Sequence, residues 1–384
     1  MANMERKLLP LLEQIATEQG LTNCSIDVKP ISTGGANYSS ILYKAKIQDN
    51  DKVLNIFIKV GAVPDSMRES REIKIYDAEA YAYTTMKKLF KQLEDKYNVP
   101  EEGRLVMPVY YGGSSKVGEE ILILEDLTAK GFSTYDRLKS IDWEYAAAAV
   151  TELAKFHALS MALAKEYPQE FNKITQELKS EWIDEEAFGA FWKSGFDKAI
   201  EAAKKENKEK VKAFFNKVTL SSVLKMYDPV KKPVLTHGDY RASNLMHRYR
   251  KLIPVDYQTL QASCVILDLL YFILCGTDKE FRRQYFDRLV EHYYSQLKSA
   301  MTSLGLTDED YSRKDFEYEL KERLPSGLVN VAFVLPIVTV QSDDAPKLDS
   351  ADMGISNFEN IKTNDIYNSR INGIIDDYVR WGIL

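Results

Sequence analysis

His237-Gly238-Asp239-Tyr240-Arg241-Ala242-Ser243-Asn244 lies between two short apolar runs, Pro233–Thr236 and Leu252–Val255. The runs read as strands and the stretch between them as a polar loop. Asp256 follows Asn244 by twelve residues, within Val255-Asp256-Tyr257. One loop therefore offers an acid, a carboxamide five residues later, and a second acid at the tip of the next strand. Asp and Asn in such a place can simply make turns. The same trio is also what phosphoryl transfer requires. One carboxylate receives a hydroxyl proton, while an amide oxygen and another carboxylate hold magnesium against phosphate groups. The second reading demands partners upstream, and they are present.

The first is Gly34-Gly35-Ala36-Asn37-Tyr38-Ser39-Ser40, between Ile26-Asp27-Val28 and the strand-like Ile41–Ile47. Paired glycines and small polar residues let backbone N–H groups approach phosphate oxygens closely, so Gly34, Gly35, Asn37 and Ser39 are candidate nucleotide contacts. Taken alone, such a glycine-rich segment is more often just a hairpin. Next, Val53–Val60 alternates so that Leu54, Ile56 and Ile58 share one face and Lys59 takes the other. One strand after a glycine loop, that Lys is the expected phosphate ligand. It needs a carboxylate from a helix. Arg68–Tyr97 is charged and lacks Gly and Pro, which predicts a helix carrying two candidates, Glu79 and Glu72. Tyr76, Glu79 and Tyr83 fall three and four apart on one face, which favours Glu79 and leaves Glu72 as the fallback.

Ile121-Leu122-Ile123-Leu124 is a fully apolar strand running into Glu125-Asp126-Leu127. Such a strand ending in a polar connector suits the passage between two lobes, where main-chain groups of Glu125 and Leu127 could face an adenine edge.

Together, Ile121–Leu127, the helix around Leu153-Ala-Lys-Phe-His-Ala158, the His-Gly-Asp-x-x-x-x-Asn loop, and Val255-Asp-Tyr-Gln258 followed by Leu267-Asp-Leu-Leu-Tyr271 resemble the ecdysteroid kinase-like proteins. These are small-molecule kinases of the choline kinase and aminoglycoside phosphotransferase group. The resemblance spans roughly Ile31 to Leu274. The Asp-to-Asn spacing also matches the catalytic loop of protein kinases, with Gly238 where those carry Arg. One departure is Val-Asp-Tyr-Gln in place of the family's common Ile-Asp-Phe-Gln, which keeps the carboxylate and an aromatic. The resemblance implies Asp239 as the acceptor-side base or positioning group, Asn244 and Asp256 as magnesium ligands, Lys59 on the ATP phosphates and Glu79 orienting Lys59. It implies structural roles for His237 and for Asp268, the latter tying down the loop's backbone. His157 reads as a hydrogen-bonded core histidine, and Arg241 stays open between a phosphate contact and a solvated side chain.

Bulk properties set bounds. A chain of 384 residues exceeds what one hydrophobic core sustains, so two lobes are expected. A net charge of −6 argues against a nucleic-acid partner. Cys24, Cys264 and Cys275 cannot all pair, and two of them sit in apolar runs, which fits reduced thiols and a cytoplasmic address. No metal-type His or Cys spacing is present. The N-terminal stretch reads as amphipathic and lacks a signal's apolar core. Leu328–Val340 is too short to span a bilayer and reads as a buried helix kinked or ended near Pro336. Helices are expected over Trp143–Glu166, Trp182–Met226, Glu280–Leu304 and Ile366–Trp381, with Gln341–Asn360 a surface loop.

The expected architecture is α+β: a protein-kinase-like bilobal fold. Residues 1–127 would form a small antiparallel-sheet lobe for ATP and 128–384 a larger helical lobe for catalysis and acceptor. The expected reaction moves the γ-phosphoryl of ATP, with Mg2+, to a hydroxyl of an ecdysteroid or similar polyhydroxylated steroid. Alternatives are a detoxifying kinase of hydroxylated foreign compounds, a choline- or ethanolamine-type kinase, and a non-enzymatic pseudokinase that binds a ligand. A protein kinase is disfavoured, because an apolar helix begins about ten residues after Asp256 and leaves no room for an activation segment.

Overall fold

The structure, a computed structural model, describes residues 2–31, 40–62, 74–178, 185–344 and 359–384. Helix α1 (Ala2–Glu18) leads into β1 (Ser25–Ile31), β2 (Ser40–Asp49) and β3 (Lys52–Gly61). Next, α2 (Ile75–Tyr81) passes through a π turn, Ala82–Met86, into α3 (Lys87–Lys96). Strands β4 (Tyr110–Ser114) and β5 (Ile121–Glu125) complete an antiparallel sheet ordered β1-β2-β3-β5-β4.

Alternation sorts this sheet's two faces. Ile56, Ile58 and Ile123 pack with Leu8 and Leu12 of α1 in one apolar cluster. Leu122 and Leu124 point the other way and join Ala78, Ala82 and Tyr83 in the large core. Lys59, opposite Leu122 in the register, shares that second face.

Beyond the connector the chain turns helical. Asp142 caps α4 (Trp143–Glu166), accepting the Tyr145 N–H at 2.8 Å. The lysine-rich region divides into α6 (Glu185–Ala202), α7 (Lys208–Phe215) and α8 (Leu220–Lys225), after α5 (Pro168–Glu177). Thr219 starts α8 through a reciprocal cap with Ser222, which interrupts what the composition suggests is continuous. Trp192, Phe196 and Phe215 are buried in the core: Phe196 stacks on Phe215 at 4.5 Å, and Trp192 meets Phe333 at 3.8 Å between ring centres.

The two apolar runs beside the loop are strands, but they do not pair with each other. β6 (Val234–Thr236) pairs with β9 (Gln261–Ser263), while β7 (Leu245–Arg248) pairs with β8 (Lys251–Pro254). The extra strand β7 begins directly after Asn244, and Tyr249 takes the left-handed turn at the tip of this hairpin, φ 56°.

Every residue of α9 (Val265–Gly276) is buried. It is followed by α10 (Lys279–Ser303), α11 (Arg313–Thr339) and α12 (Asp365–Arg380). Pro336 falls in the last turn of α11, so the helix does end near it, three residues on. A buried ion pair at 2.7 Å, Arg282 to Asp377, fastens α12 to α10. Most of the expected surface loop, residues 345–358, lies outside the described residues. Among the described residues, no helix is long and apolar enough to cross a membrane. The architecture is the expected α+β arrangement, a small antiparallel-sheet lobe beside a larger helical one.

Candidate active site

The loop after β6 is held from beneath by one carboxylate. Asp268, in the first turn of α9, accepts the backbone N–H groups of His237 at 2.7 Å and Gly238 at 2.9 Å. His157 on α4 is wholly buried and bonds Asp268 through Nε2 at 3.1 Å and the Tyr293 hydroxyl through Nδ1 at 2.7 Å. Burial alone would raise the Asp268 carboxyl. The His157 bond and charge, helped by the Gly238 N–H, outweigh it and hold the group below the ordinary range. Gly238 is required for its backbone: φ is 80°, and a Cβ there would come within 2.4 Å of the Thr259 carbonyl oxygen. His237 donates from Nε2 to the Val255 carbonyl at 3.0 Å, a bond that ties the loop to the strand leading to Asp256.

Asp239 is thereby fixed with its carboxylate ringed by donors. Tyr271 Oη bonds Oδ1 at 2.5 Å, and Asn244 Nδ2 bonds Oδ2 at 2.9 Å. Arg241 Nε sits astride the two oxygens, at 2.9 Å and 3.1 Å. Tyr271 lies one turn after Asp268, so a single turn of α9 grips both the loop's backbone and its acid.

Asp256 follows β8, and the hairpin explains its closeness to Asn244. Leu245 pairs with Pro254, and the Val255 N–H reaches the Asn244 carbonyl at 3.0 Å. Asp256 itself has φ 69°, a left-handed conformation uncommon for a residue with a Cβ, and its N–H bonds the Tyr83 hydroxyl at 3.3 Å. Lys59 joins the lobes: Nζ is 2.6 Å from Glu79 Oε2 and 2.6 Å from Asp256 Oδ1. Two carboxylates around one buried ammonium cannot both stay easily ionised. The more buried one gives way. Burial, with Asp256 adding to it, overcomes the pull of Lys59 and pushes the Glu79 carboxyl up to about 7. For Asp256, burial is outweighed by Lys59, with Arg241 and His237 helping, and the carboxyl is held below its usual range. Of the two acids weighed for Lys59, Glu79 is the one in contact; Glu72 lies outside the described residues.

Gly34, Gly35, Asn37 and Ser39 also lie outside the described residues. At the connector, the Glu125 N–H bonds the Val109 carbonyl at 2.9 Å and its carboxylate pairs with Lys130, so Glu125 fastens β5 to its neighbours. Asp126 pairs with Lys44 at 3.1 Å and caps the following turn through the Thr128 N–H at 2.9 Å. The Leu127 N–H has no partner among the described residues. The Leu127 side chain packs with Phe132, Met246 and Ile253 in a small apolar cluster beneath the connector.

A magnesium ion fits the side chains present. Asn244 directs its amide nitrogen at Asp239, both the carbonyl at 3.0 Å and the carboxylate, which leaves Oδ1 as a hard oxygen donor. Asp256 uses Oδ1 on Lys59 and keeps Oδ2. Two such donors, with phosphate oxygens and water completing the shell, suit magnesium better than a dedicated protein cage does. Among the described residues no cluster of three or more His, Cys, Asp or Glu side chains could hold a metal by itself.

Sequence reasoning gave no role to Tyr271 or Tyr83, and left Arg241 undecided. Tyr271 is visible in sequence only as an aromatic within an apolar run, and its contact with Asp239 depends on packing between distant segments.

No curated protein matches the chain. Solved structures resemble it at low identity. A choline kinase from Cryptosporidium parvum Iowa II is 13% identical, with 94% of this chain and 91% of that one covered and a TM-score of 0.47. Amicoumacin kinase, solved with AMP-PNP, Ca2+ and Ami, is 11% identical over 82% and 93%, with a TM-score of 0.38. The GDP complex of an aminoglycoside 2'-phosphotransferase is 12% identical over 84% and 91%, with a TM-score of 0.34. The sequence model of one family, in contrast, matches residues 34–306, about seven-tenths of the chain. The chain belongs to the ecdysteroid kinase-like family, and is a phosphotransferase with a hydroxyl acceptor.

Proposed function

We propose that the protein uses MgATP to phosphorylate a hydroxyl of a polyhydroxylated small molecule, with an ecdysteroid as the acceptor that family membership favours. The observation that carries the reading is the convergence of Lys59, Asp256, Asn244 and Asp239 where the lobes meet. Lys59, steadied by Glu79, binds phosphate oxygens, and the Leu127 main chain meets the adenine edge. Asn244 Oδ1 and Asp256 hold the metal, which when bound neutralises charge on the phosphates. Asp239 orients the acceptor hydroxyl and receives its proton as the new O–P bond forms. The bond from the γ-phosphorus to the bridging oxygen breaks, and ADP leaves. Asp268 and Tyr271 keep the acid in place, so positioning and electrostatics carry the catalysis.

The domain division at residue 127 belongs to the same proposal: the connector after β5 is where the nucleotide lobe hands over to the acceptor lobe. Labelled ATP incubated with a panel of ecdysteroids, cholines, phenols and glycosides tests the reading. A phosphorylated ecdysteroid supports it. Exclusive labelling of choline moves the protein to another acceptor class, and no transfer to any acceptor, with no nucleotide bound, supports a pseudokinase.

A further inference from the structure

The Asp239 carboxylate has no unoccupied edge. A carboxylate offers about four lone-pair directions, and Tyr271, Asn244 and the two contacts of Arg241 Nε take up that number. An acceptor hydroxyl can reach either oxygen only if a donor withdraws. Two of the three donors are fixed. Tyr271 belongs to the fully buried helix α9, and Asn244 is anchored twice, by the Asp239 carbonyl as well as its carboxylate.

Arg241 differs. Beyond Asp239 its guanidinium makes one further bond, from Nη1 to Ser243 Oγ at 2.8 Å, and Nη2 has no hydrogen bond among the described residues. Its stem is long and its head keeps donors to spare in a planar fork suited to phosphate oxygens. Burial works against its charge, but Asp239 outweighs that, with Asp256 contributing, so the guanidinium stays charged within reach of both acids' fields.

We propose that Arg241 caps Asp239 until nucleotide binds, then turns its guanidinium to the terminal phosphoryl group, uncovering the carboxylate for the acceptor hydroxyl. The proposal rests on the kinase reading above. It gives the site an internal order: the acid becomes available only when a phosphoryl group is there to draw the cap away. No bond is made or broken in this exchange; one charge-assisted contact replaces another.

The test needs no acceptor. Affinities for Mg·ADP and Mg·AMP-PNP are measured by calorimetry for the wild type, Arg241→Gln and Arg241→Lys, each also with Asp239→Asn. Arg241→Gln is expected to weaken AMP-PNP about tenfold or more, the effect of losing a hydrogen bond to a charged group, while ADP changes by less than about twofold. Arg241→Lys, which keeps the charge and the fold, should retain part of the difference. The selective loss should persist when Asp239 is already Asn, because the contact is to phosphate. Equal weakening of both nucleotides overturns the proposal. So does a loss that vanishes in the Asp239→Asn background, since Arg241 would then only neutralise the acid. A wild type that binds neither nucleotide overturns the kinase reading itself, and this proposal with it.

Discussion

Asp239 and Asp256 are both loop carboxylates of the candidate site, yet they are held by different parts of the molecule. Asp239 takes its donors from the helical lobe alone: Tyr271 from α9, and Asn244 and Arg241 from its own loop. Asp256 takes its cation from the sheet lobe, through Lys59, and its backbone bond from Tyr83 on the π turn after α2. The first acid is therefore set by packing within one lobe, whereas the second depends on how the lobes meet. In the proposed reaction Asp239 would face one reacting hydroxyl and gain from rigidity. Asp256, proposed to hold the metal and admit phosphate beside Lys59, would gain from a contact that can open.

Single substitutions at the two acids and their supports should have effects of graded size. The largest effect is expected from Asp239→Asn, which should lower turnover by about 10²–10⁴-fold, the span of a positioned acid–base group, with the melting temperature little changed. Near-wild-type turnover would remove Asp239 from its role. Next comes Asp268→Asn, which breaks a buried charged network and should cost about 3 kcal/mol in denaturant unfolding. Because the Asp268 carboxyl is held below its ordinary value of 3.8, its stabilisation is present above that pH and is lost as the pH falls through the folded value. The variant should therefore show a flatter loss of stability in acid; an unchanged acid limb would mean that Asp268 does not hold the loop by charge.

A smaller effect belongs to Glu79→Gln. With its carboxyl raised from 4.5 to about 7, Glu79 binds a proton in the folded state that the unfolded chain has released. Its contribution is fully present below pH 4.5 and is lost as the pH rises through about 7. Unfolding free energies measured across that window should lose this slope in the variant, and a preserved slope would contradict the shared-ammonium account. Smallest is Tyr83→Phe, which removes one acceptor from the Asp256 N–H and should cost about 0.5–1 kcal/mol. A loss several times larger would show that the left-handed backbone at Asp256 hangs on that hydroxyl.

The parts of the site legible in the sequence were those written locally. Asp239 and Asn244 share a loop, and Asp256 ends the next apolar run, so residue type and spacing sufficed. Glu79 could be favoured because its face carries Tyr76 and Tyr83; Tyr83 is buried and Tyr76 accepts the Ala62 N–H at 3.1 Å. The rest is written between distant segments. Strand β7, only Leu245–Arg248, mixes Leu and Met with His and Arg, and pairing rather than composition makes it a strand. The Tyr271 contact spans 32 residues, and Lys59 meets Asp256 across 197. In α9 every side chain is buried, so no periodicity marks which of them would face the acid.

The proposed site takes a metal–nucleotide complex between Lys59 and Asp256. Thermal unfolding with ATP, with and without magnesium, tests it most directly, since a ligand of the folded state raises the melting temperature. A rise is expected with MgATP that shrinks without magnesium and disappears in Asp256→Asn. Equal melting temperatures for the wild type with and without MgATP, at millimolar nucleotide, would contradict it.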